Sequence, residues 1–478
     1  MRKNIIGRII LGFALAGLAA GCKKQLNVFP TTSEVDGMVI TDAKSAATVL
    51  NGVYYRFANS GADNNDAPVI KWDQVSEWRY SQLCGSAAVQ QSIDLPLSDH
   101  SYNATDGVAL MFWTYGYSLV NAANGFLKNI DPLSNIPDAS KKQMIAEARF
   151  LRAYANTYLL LNFGEFYDLN SAYGIVLRDA FVKPDNIRKS RSSVKEVYDF
   201  ILADLSDAWI DALPDRNTKN FYTNKWAAKQ LKARVLMNRG TADDYNQVIS
   251  LTQSIIAGSP YTLEPNTKDI FWTKGTASNE VMLSVAPVAG QGAKYQSYLY
   301  YITATPSAFG QSLFANDPRN TWVYQTVKNR SNRNVLAFTK YYPGPTTGLQ
   351  SMAITENGYA FRLSEAYLLQ AEAITAAAGG NLETARTLLK TVMGRSGVTN
   401  FSEVDAAAAA SKLREVVVKE TMRNFICESG LDWQAMRRLP FATVQSWLPV
   451  IKAKNQLIFP IPQSEIKSND LIQQTPGF

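Results

Sequence analysis

The chain has 478 residues, of which 46% are hydrophobic and 19% charged, and its formal net charge is +7. These proportions are those of a globular protein and exclude an intrinsically disordered chain. Lys and Arg are scattered, with no basic run beyond "IRKSR" at 187–191, so we expect no nucleic-acid partner. His100 is the only histidine, which excludes histidine-rich zinc sites and most catalysis by a histidine base. We expect it on the surface or in a loop.

The first segment has the form of a secretory signal. Basic residues precede the apolar run 9–20, which is shorter than the about 20 residues that cross a bilayer. The run ends in "LAAGC", which resembles the lipobox of bacterial lipoproteins, so we predict that residues 1–21 are cleaved and that Cys22 is lipidated. The alternative is a buried cysteine in a first helix. We expect Cys84 and Cys427 to be two separate buried thiols rather than a disulfide.

Helical periodicity dominates the remainder of the chain. Apolar residues that recur every three or four positions predict helices at 142–163, 193–213 and 224–239, a further helix that opens at Asp243 and Asp244, and a helix pair within 361–396. Ser193 and Glu196 form a capping-box pattern, and Gly240 marks a helix end. Two helices in about 34 residues, with alanines where they cross, are typical of tetratricopeptide units. The sequence therefore predicts a mostly α fold, a tetratricopeptide-like scaffold of helical pairs.

Two stretches interrupt this scaffold. Residues 58–108 and 259–358 are rich in Gly, Pro, Ser, Asn and Tyr and have little periodicity. Long irregular insertions in a compact helical protein are usually functional or disordered, and the many aromatic residues argue against disorder. We expect long, ordered loop insertions.

A series of segments carries a resemblance to a known family. They are "AATVLNGVYYRF" (46–57), "WTYGYSLVNAANGFL" (113–127), "AEARFLRAYANTYLLLNFGEF" (146–166), "SVKEVYDFILADLSDAWIDALP" (193–214), "NKWAAKQLKARVLM" (224–237), "NEVMLSV" (279–285), "DPR" (317–319), "FRLSEAYLLQAEA" (361–373) and "FPIPQSEIKSNDLIQQTPGF" (459–478). In this order behind a lipobox, they resemble the SusD/RagB family of outer-membrane lipoproteins of Bacteroidetes over essentially the whole chain. One stretch departs from the family pattern, because Leu431 and Gln434 stand where an Arg and an Asp are usual, although Glu428 is kept.

The resemblance implies a fold and a function. We expect one SusD-like domain, 22–478, with an N-terminal part to about 240 and a C-terminal part from about 260. Family members sit on the outer face of the outer membrane and bind a nutrient, mostly an oligosaccharide and sometimes a peptide. They act as the lid of a SusC-type TonB-dependent transporter. We therefore expect that the protein is not an enzyme and that it has no catalytic residue, no cofactor and no metal. We interpret Glu147 and Glu372 as structural ion-pair partners.

Two alternatives to this function remain. One is a surface scaffold that binds a glycan or a peptide without a transporter partner. The other is a helical-repeat glycoside hydrolase, which needs two carboxylates facing each other across the scissile bond. No pair in the sequence stands out for that role.

The ligand site is expected in the irregular segments. Sugars present C–H faces and hydroxyl groups, so their binders combine flat aromatic rings with polar side chains. The candidate ligand-binding residues are Trp72, Trp78, Tyr80, Tyr298, Tyr300, Trp322 and Tyr324. The alternative for each is a loop anchor packed onto helices. Trp113 is excluded because its segment has the pattern of core.

Overall fold

The fold is built mainly from α-helices, as the periodicity predicted. The computed structural model describes residues 39–59, 84–86, 100–285, 304–306, 308–328, 332–347 and 357–478. Within these ranges the helices are α1 (Ala43–Ala58), α2 (Gly107–Ile130), α3 (Asp138–Phe163), α4 (Val194–Asp204), α5 (Asp207–Ile210), α6 (Lys225–Arg239), α7 (Ala242–Gly258), α8 (Ala308–Phe314), α9 (Leu363–Ala376), α10 (Leu382–Gly394), α11 (Ser402–Ala406), α12 (Ala410–Asn424), α13 (Leu431–Arg437), α14 (Phe441–Trp447) and α15 (Gln463–Ser468). No helix in this part of the chain is long and apolar enough to cross a membrane.

The two longest helices, α2 and α3, form an antiparallel pair on which α1 packs. Trp113 near the start of α2 meets Phe163 at the end of α3, with ring centroids 5.1 Å apart. Gly116 sits at the crossing, where an added Cβ would come within 2.4 Å of the Leu159 side chain. Only glycine allows the two helices to approach so closely. The burial of Trp113 confirms that it belongs to the core.

The predicted helix pairs are present and stack on one another. The side chain of Asn224 accepts hydrogen bonds from the first turn of α6, and the helix ends at Gly240 in the left-handed conformation. Thr241 and Asp244 then form a capping box that opens α7. Helix α7 packs against α9, which in turn pairs with α10 and contacts α12. The order α6, α7, α9, α10 is therefore a stack of helical pairs, the arrangement that the sequence predicted.

Short strands accompany the helices. They are β1 (Cys84–Ser86), β2 (Val281–Val285), β3 (Ala304–Pro306), β4 (Tyr324–Lys328), β5 (Asn334–Phe338) and β6 (Gly358–Arg362). They form three antiparallel pairs, β1 with β3, β2 with β6, and β4 with β5. The main hydrophobic cluster extends from Ile40 to Ile472 and joins helices and strands from both halves of the chain.

Two predicted helices differ in their bounds. The helix predicted over 193–213 is interrupted after α4, because Ser206 has an extended backbone (φ −65°, ψ 152°) and begins the short α5. The helix predicted from Phe361 starts two residues later. Phe361 and Arg362 belong to β6, where pairing with β2 keeps their backbone extended. The capping box of Ser193 and Glu196 is confirmed at the start of α4.

The two glutamates interpreted as ion-pair partners have different surroundings. Glu372 is confirmed in this role, because it accepts hydrogen bonds from Arg438 (2.6 and 3.0 Å) and from Arg414 (3.4 Å). Glu147 instead accepts hydrogen bonds from the Tyr54 hydroxyl (2.7 Å) and the Gln143 amide (3.0 Å). Burial raises the pKa of Glu147, and these hydrogen bonds only partly oppose the shift. The ion-pair interpretation of Glu147 is therefore replaced by a hydrogen-bonded one.

A cluster of buried charges joins β6 to the segment between α12 and α13. Glu428 accepts hydrogen bonds from Arg362 (2.7 and 2.9 Å) and from the Lys340 ammonium group. Arg362 also donates to Glu280 (2.9 Å), which pairs with Arg395. All except Arg395, which keeps slight exposure, are among the buried residues. Glu428, which the family pattern keeps, is thus one of two carboxylates that hold this cluster together.

His100 was expected on the surface or in a loop, and the structure places it in a buried part of a loop. It lies in a turn, but only 1% of its surface is exposed. The ring stands 5.0 Å from that of Trp433, and its Nδ1 lies 2.8 Å from the Tyr102 hydroxyl and 3.3 Å from the Gln456 carbonyl oxygen. Burial lowers the pKa of His100 to about 4, so the ring is neutral at physiological pH.

Candidate functional site

A small ribbon connects the two aromatic-rich segments of the sequence. β1 and β3 pair antiparallel, with Cys84 opposite Pro306 and Ser86 opposite Ala304. The predicted site segments directly precede these strands in the chain: 71–80 ends four residues before Cys84, and 295–301 ends three residues before Ala304. Both strands contact α8. The residues that follow the two predicted site segments therefore both contact α8.

Five of the predicted ligand-binding residues lie outside the described residues: Trp72, Trp78, Tyr80, Tyr298 and Tyr300. They stay predictions. The same holds for the signal segment 1–21 and for the lipidation of Cys22.

Trp322 and Tyr324 are described, and both are buried. Trp322 is 6% exposed and stacks on Phe271 with ring centroids 6.0 Å apart. Tyr324 is 3% exposed, and it makes T-shaped contacts with Phe314 and Phe338, with ring centroids 5.5 and 5.8 Å apart. A ring covered in this way has no face for a sugar. The loop-anchor alternative fits both positions in this conformation.

A cleft of about 700 Å³ opens next to the ribbon, and we call it the aromatic cleft. Its walls come from α8, from the segment between α10 and α11, from α12 and from α14, and its main lining residues are Phe309, Ser312, Asn316, Asp317, Asn400, Ser402, Glu403, Lys419, Arg423, Ser446 and Trp447. The half-buried rings of Phe309 and Trp447 face each other at 5.7 Å, and the Lys419 ammonium group lies 5.7 Å from the Trp447 ring. The rim is polar, with exposed amides at Asn316 and Asn400.

Fixed charges hold the wall of the aromatic cleft in place. Arg423 donates to the Leu313 carbonyl (2.9 Å) and lies within 4 Å of both Asp317 and Glu403. Beneath the wall, Arg319 donates to Asp317 (2.6 and 2.7 Å). Burial favours a higher pKa for Asp317, but the hydrogen bonds and charge of Arg319 outweigh it and hold the pKa below its usual value. Asp317 is therefore ionised, and it acts as a partner for two arginines.

A second buried contact of Arg319 explains the "DPR" segment of the sequence. Its guanidinium group donates to both oxygens of Glu420 on α12, at 2.7 Å each. Bidentate pairs of this kind fix geometry as well as charge. The segment thus connects α8, which forms one wall of the cleft, with α12, which carries Lys419 and Arg423.

Sequence reasoning did not find the aromatic cleft. Trp447 and Lys419 lie on helices with ordinary amphipathic patterns, whereas the aromatic residues predicted to bind sugar all lie in the irregular segments. The available signal was Trp447 itself, a large ring in a seven-residue helix that can bury only one face. In the part of the chain that the structure describes, no group of three His, Cys, Asp or Glu side chains could hold a metal ion.

Comparisons with known proteins agree with this fold. Residues 45–237 match a family profile described as "Starch-binding associating with outer membrane", and residues 310–448 match the profile of the SusD family. A SusD-like protein of Bacteroides ovatus is 24% identical over 91% of this chain and 82% of its own length. A SusD superfamily structure from Bacteroides fragilis superposes with a TM-score of 0.71 at 21% identity, covering 91% of this chain and all of that one.

A further similar structure is a laminarin-binding SusD-like protein, with a TM-score of 0.73, 18% identity and coverage of 92% of this chain and 100% of its own. At such identity the structural matches show the fold alone. The two profiles together reach most of the chain, and proteins of this family are binding proteins rather than known enzymes. The chain belongs to the SusD/RagB family of carbohydrate-binding proteins that associate with the outer membrane of Bacteroidetes.

Proposed function

We propose that this protein is a lipid-anchored protein of the outer cell surface that binds an oligosaccharide and delivers it as the lid of a SusC-type TonB-dependent transporter. The observation that carries the binding step is the aromatic cleft beside the ribbon. The half-buried Phe309 and Trp447 rings keep exposed parts that can stack on the C–H faces of a sugar, and the exposed amides and fixed charges around them can bind its hydroxyl groups.

The position of the cleft supports the proposal further. Helix α8 contributes Phe309 to it and contacts the ribbon, where the segments with Trp72, Trp78, Tyr80, Tyr298 and Tyr300 join the described chain. We propose that these aromatic residues extend the binding surface from the cleft. Laminarin is a reasonable first ligand, since one structural neighbour binds it.

Calorimetry on Trp447→Ala tests the binding step. With laminarin oligosaccharides, or a better ligand from a glycan screen, we expect Kd to rise about 30-fold, because a hot-spot aromatic contributes about 2 kcal/mol. Trp209→Ala is the matched control, since Trp209 is also half-buried but lies on α5, outside the cleft. Binding that is equal in both variants and the wild type would assign the ligand elsewhere. Trp72→Ala and Trp78→Ala then test the extension.

The anchor and the transporter require separate experiments. A Cys22→Ala protein should no longer partition into the detergent phase, because the acyl chains would be missing. Pull-down of the wild-type protein in mild detergent should recover a TonB-dependent barrel. A variant that still partitions, or a protein recovered alone every time, would contradict the respective step.

A further inference from the structure

A second cleft, of about 290 Å³, lies between α6 and the C-terminal helices. We call it the arginine cleft, because among the described residues it is lined by five cationic side chains and by no carboxylate: Arg239, Arg414, Arg437, Arg438 and Lys454. Tyr167, Tyr245 and Phe441 complete its walls. Because cations repel one another, a lining of five cations without a carboxylate is electrostatically unfavourable in the absence of an anion.

Buried carboxylates hold three of the arginines from behind. Glu372 binds Arg438 with two hydrogen bonds and Arg414 with one, and Asp244 accepts two from Arg239, at 2.5 and 2.9 Å. Neither carboxylate lines the cleft. The guanidinium groups are therefore fixed in direction by their partners, which prepares them for a ligand without further ordering.

Arg437 and Lys454 have other contacts. Arg437 donates to the carbonyl oxygens of Leu161 (2.6 Å) and Leu457 (2.8 Å), which are dipoles rather than charges. The Lys454 ammonium group is exposed, 5.5 Å from the Tyr167 ring, and no carboxylate of the described chain lies within 4.0 Å of it.

The acids near the cleft lie outside its lining. Five cations line it, against Glu372 and Asp244 behind them and Asp199, which lies 3.9 Å from Arg239. Glu165 and Asp168 act on Tyr167 at the rim, where, added to burial, their charges raise its pKa. Glu165 and Asp168 form no described hydrogen bond or ion pair with the arginines of the cleft. Among the described residues, the charged side chains that line the cleft are therefore all cationic.

We propose that the arginine cleft is a binding site for an oxoanion group: a sulfate ester, a phosphate or a carboxylate. Planar guanidinium groups bind such anions with paired hydrogen bonds. The volume is close to the lower end for small-ligand pockets, so the cleft suits a single charged group on a small ligand better than a flat protein surface.

The group could be a free anion or an acidic substituent of a saccharide. Helices α12 and α14 each extend from the arginine cleft to the aromatic cleft, from Arg414 to Arg423 and from Phe441 to Trp447. At 1.5 Å per residue these steps are about 14 and about 9 Å, the length of two or three sugar units. The proposal for the arginine cleft depends only on its own side chains and stands without the function assigned to the aromatic cleft.

Titration with inorganic sulfate, inorganic phosphate and a sulfated oligosaccharide, each at constant ionic strength, tests the site. We expect saturable binding by the wild type and a Kd about tenfold higher in Arg414→Gln and in Lys454→Gln. Lys467→Gln is the control, since Lys467 is exposed on α15 and outside the cleft. Lys454 is also exposed, so its substitution tests the site even if Arg414→Gln lowers stability.

Comparison of the three probes distinguishes a free anion from an acidic substituent of a saccharide. Sulfate and phosphate that bind as tightly as the sulfated oligosaccharide indicate a free-anion site, and a tighter oligosaccharide indicates a substituent on a glycan. Either result supports the site when the two cleft variants are weaker than Lys467→Gln. Binding that is not saturable, or that falls equally in all three variants, overturns the proposal.

Discussion

Removal of the Glu428 charge should destabilise the protein strongly. Glu428 is 1% exposed, and it accepts two hydrogen bonds from Arg362 and one from Lys340, both buried. In Glu428→Gln the side chain keeps its size, but two buried cations lose their shared anion, and only Glu280 remains opposite Arg362. Loss of one partner of a buried pair typically costs about 3–5 kcal/mol, because the remaining charge is stranded away from water.

Urea unfolding followed by circular dichroism would measure the change in the free energy of unfolding. The matched control is Lys195→Gln, which removes the pair of Lys195 and Asp199, 2.5 Å apart but 69% and 49% exposed. An exposed pair contributes about 0–1 kcal/mol, so the control should stay close to the wild type. Adding Lys340→Met to Glu428→Gln should recover part of the loss, since it removes a stranded cation. Equal losses at the buried and the exposed site would refute the reasoning.

Two further predictions concern pH and helix capping. Because the pKa of His100 is about 4 in the folded protein and 6.5 in a free side chain, the unfolded chain binds an extra proton between these values. Stability should therefore fall as pH decreases from 6.5 to 4, by up to about 1.4 kcal/mol per pH unit, and His100→Phe should show a flatter pH profile in thermal melts. Ser193 caps α4 through a capping box, so Ser193→Ala should lose about 1 kcal/mol in denaturant titrations, while Ser464→Ala, on an exposed position of α15, should not. A flat wild-type profile, or equal losses in the two serine variants, would contradict these expectations.

The helices could be predicted from the sequence because their signals are local. The capping box at Ser193 and the stop at Gly240 each depend on residues within one or two turns. The start of α9 could not be placed, because Arg362 is kept in a strand by pairing with Val281 and by buried acids far away in sequence. Distant contacts override local propensity at such positions.

The candidate site was harder to predict for the same reason. A tryptophan that binds a sugar and one that is buried look the same in the sequence, and Trp322 is buried in this structure, where Phe271, about fifty residues earlier, stacks on it. Trp447 is half-exposed because only one side of α14 packs, which periodicity alone does not reveal. His100 is buried through a contact with Gln456, at the other end of the chain.

The pairing of β1 with β3 also has a consequence for the order in which parts of the fold form during synthesis. Its two strands are about 220 residues apart, so the partner of Cys84–Ser86 leaves the ribosome only after helices α1 to α7. Closing so long a loop is entropically unfavourable until other contacts bring its ends together, and the packing of α2, α3, α6 and α7 supplies them. A chain cut short before Ala304 contains the sequence of those helices but lacks the strand that pairs with β1. The ribbon is therefore completed late in synthesis, once the helices that bring its ends together have been made.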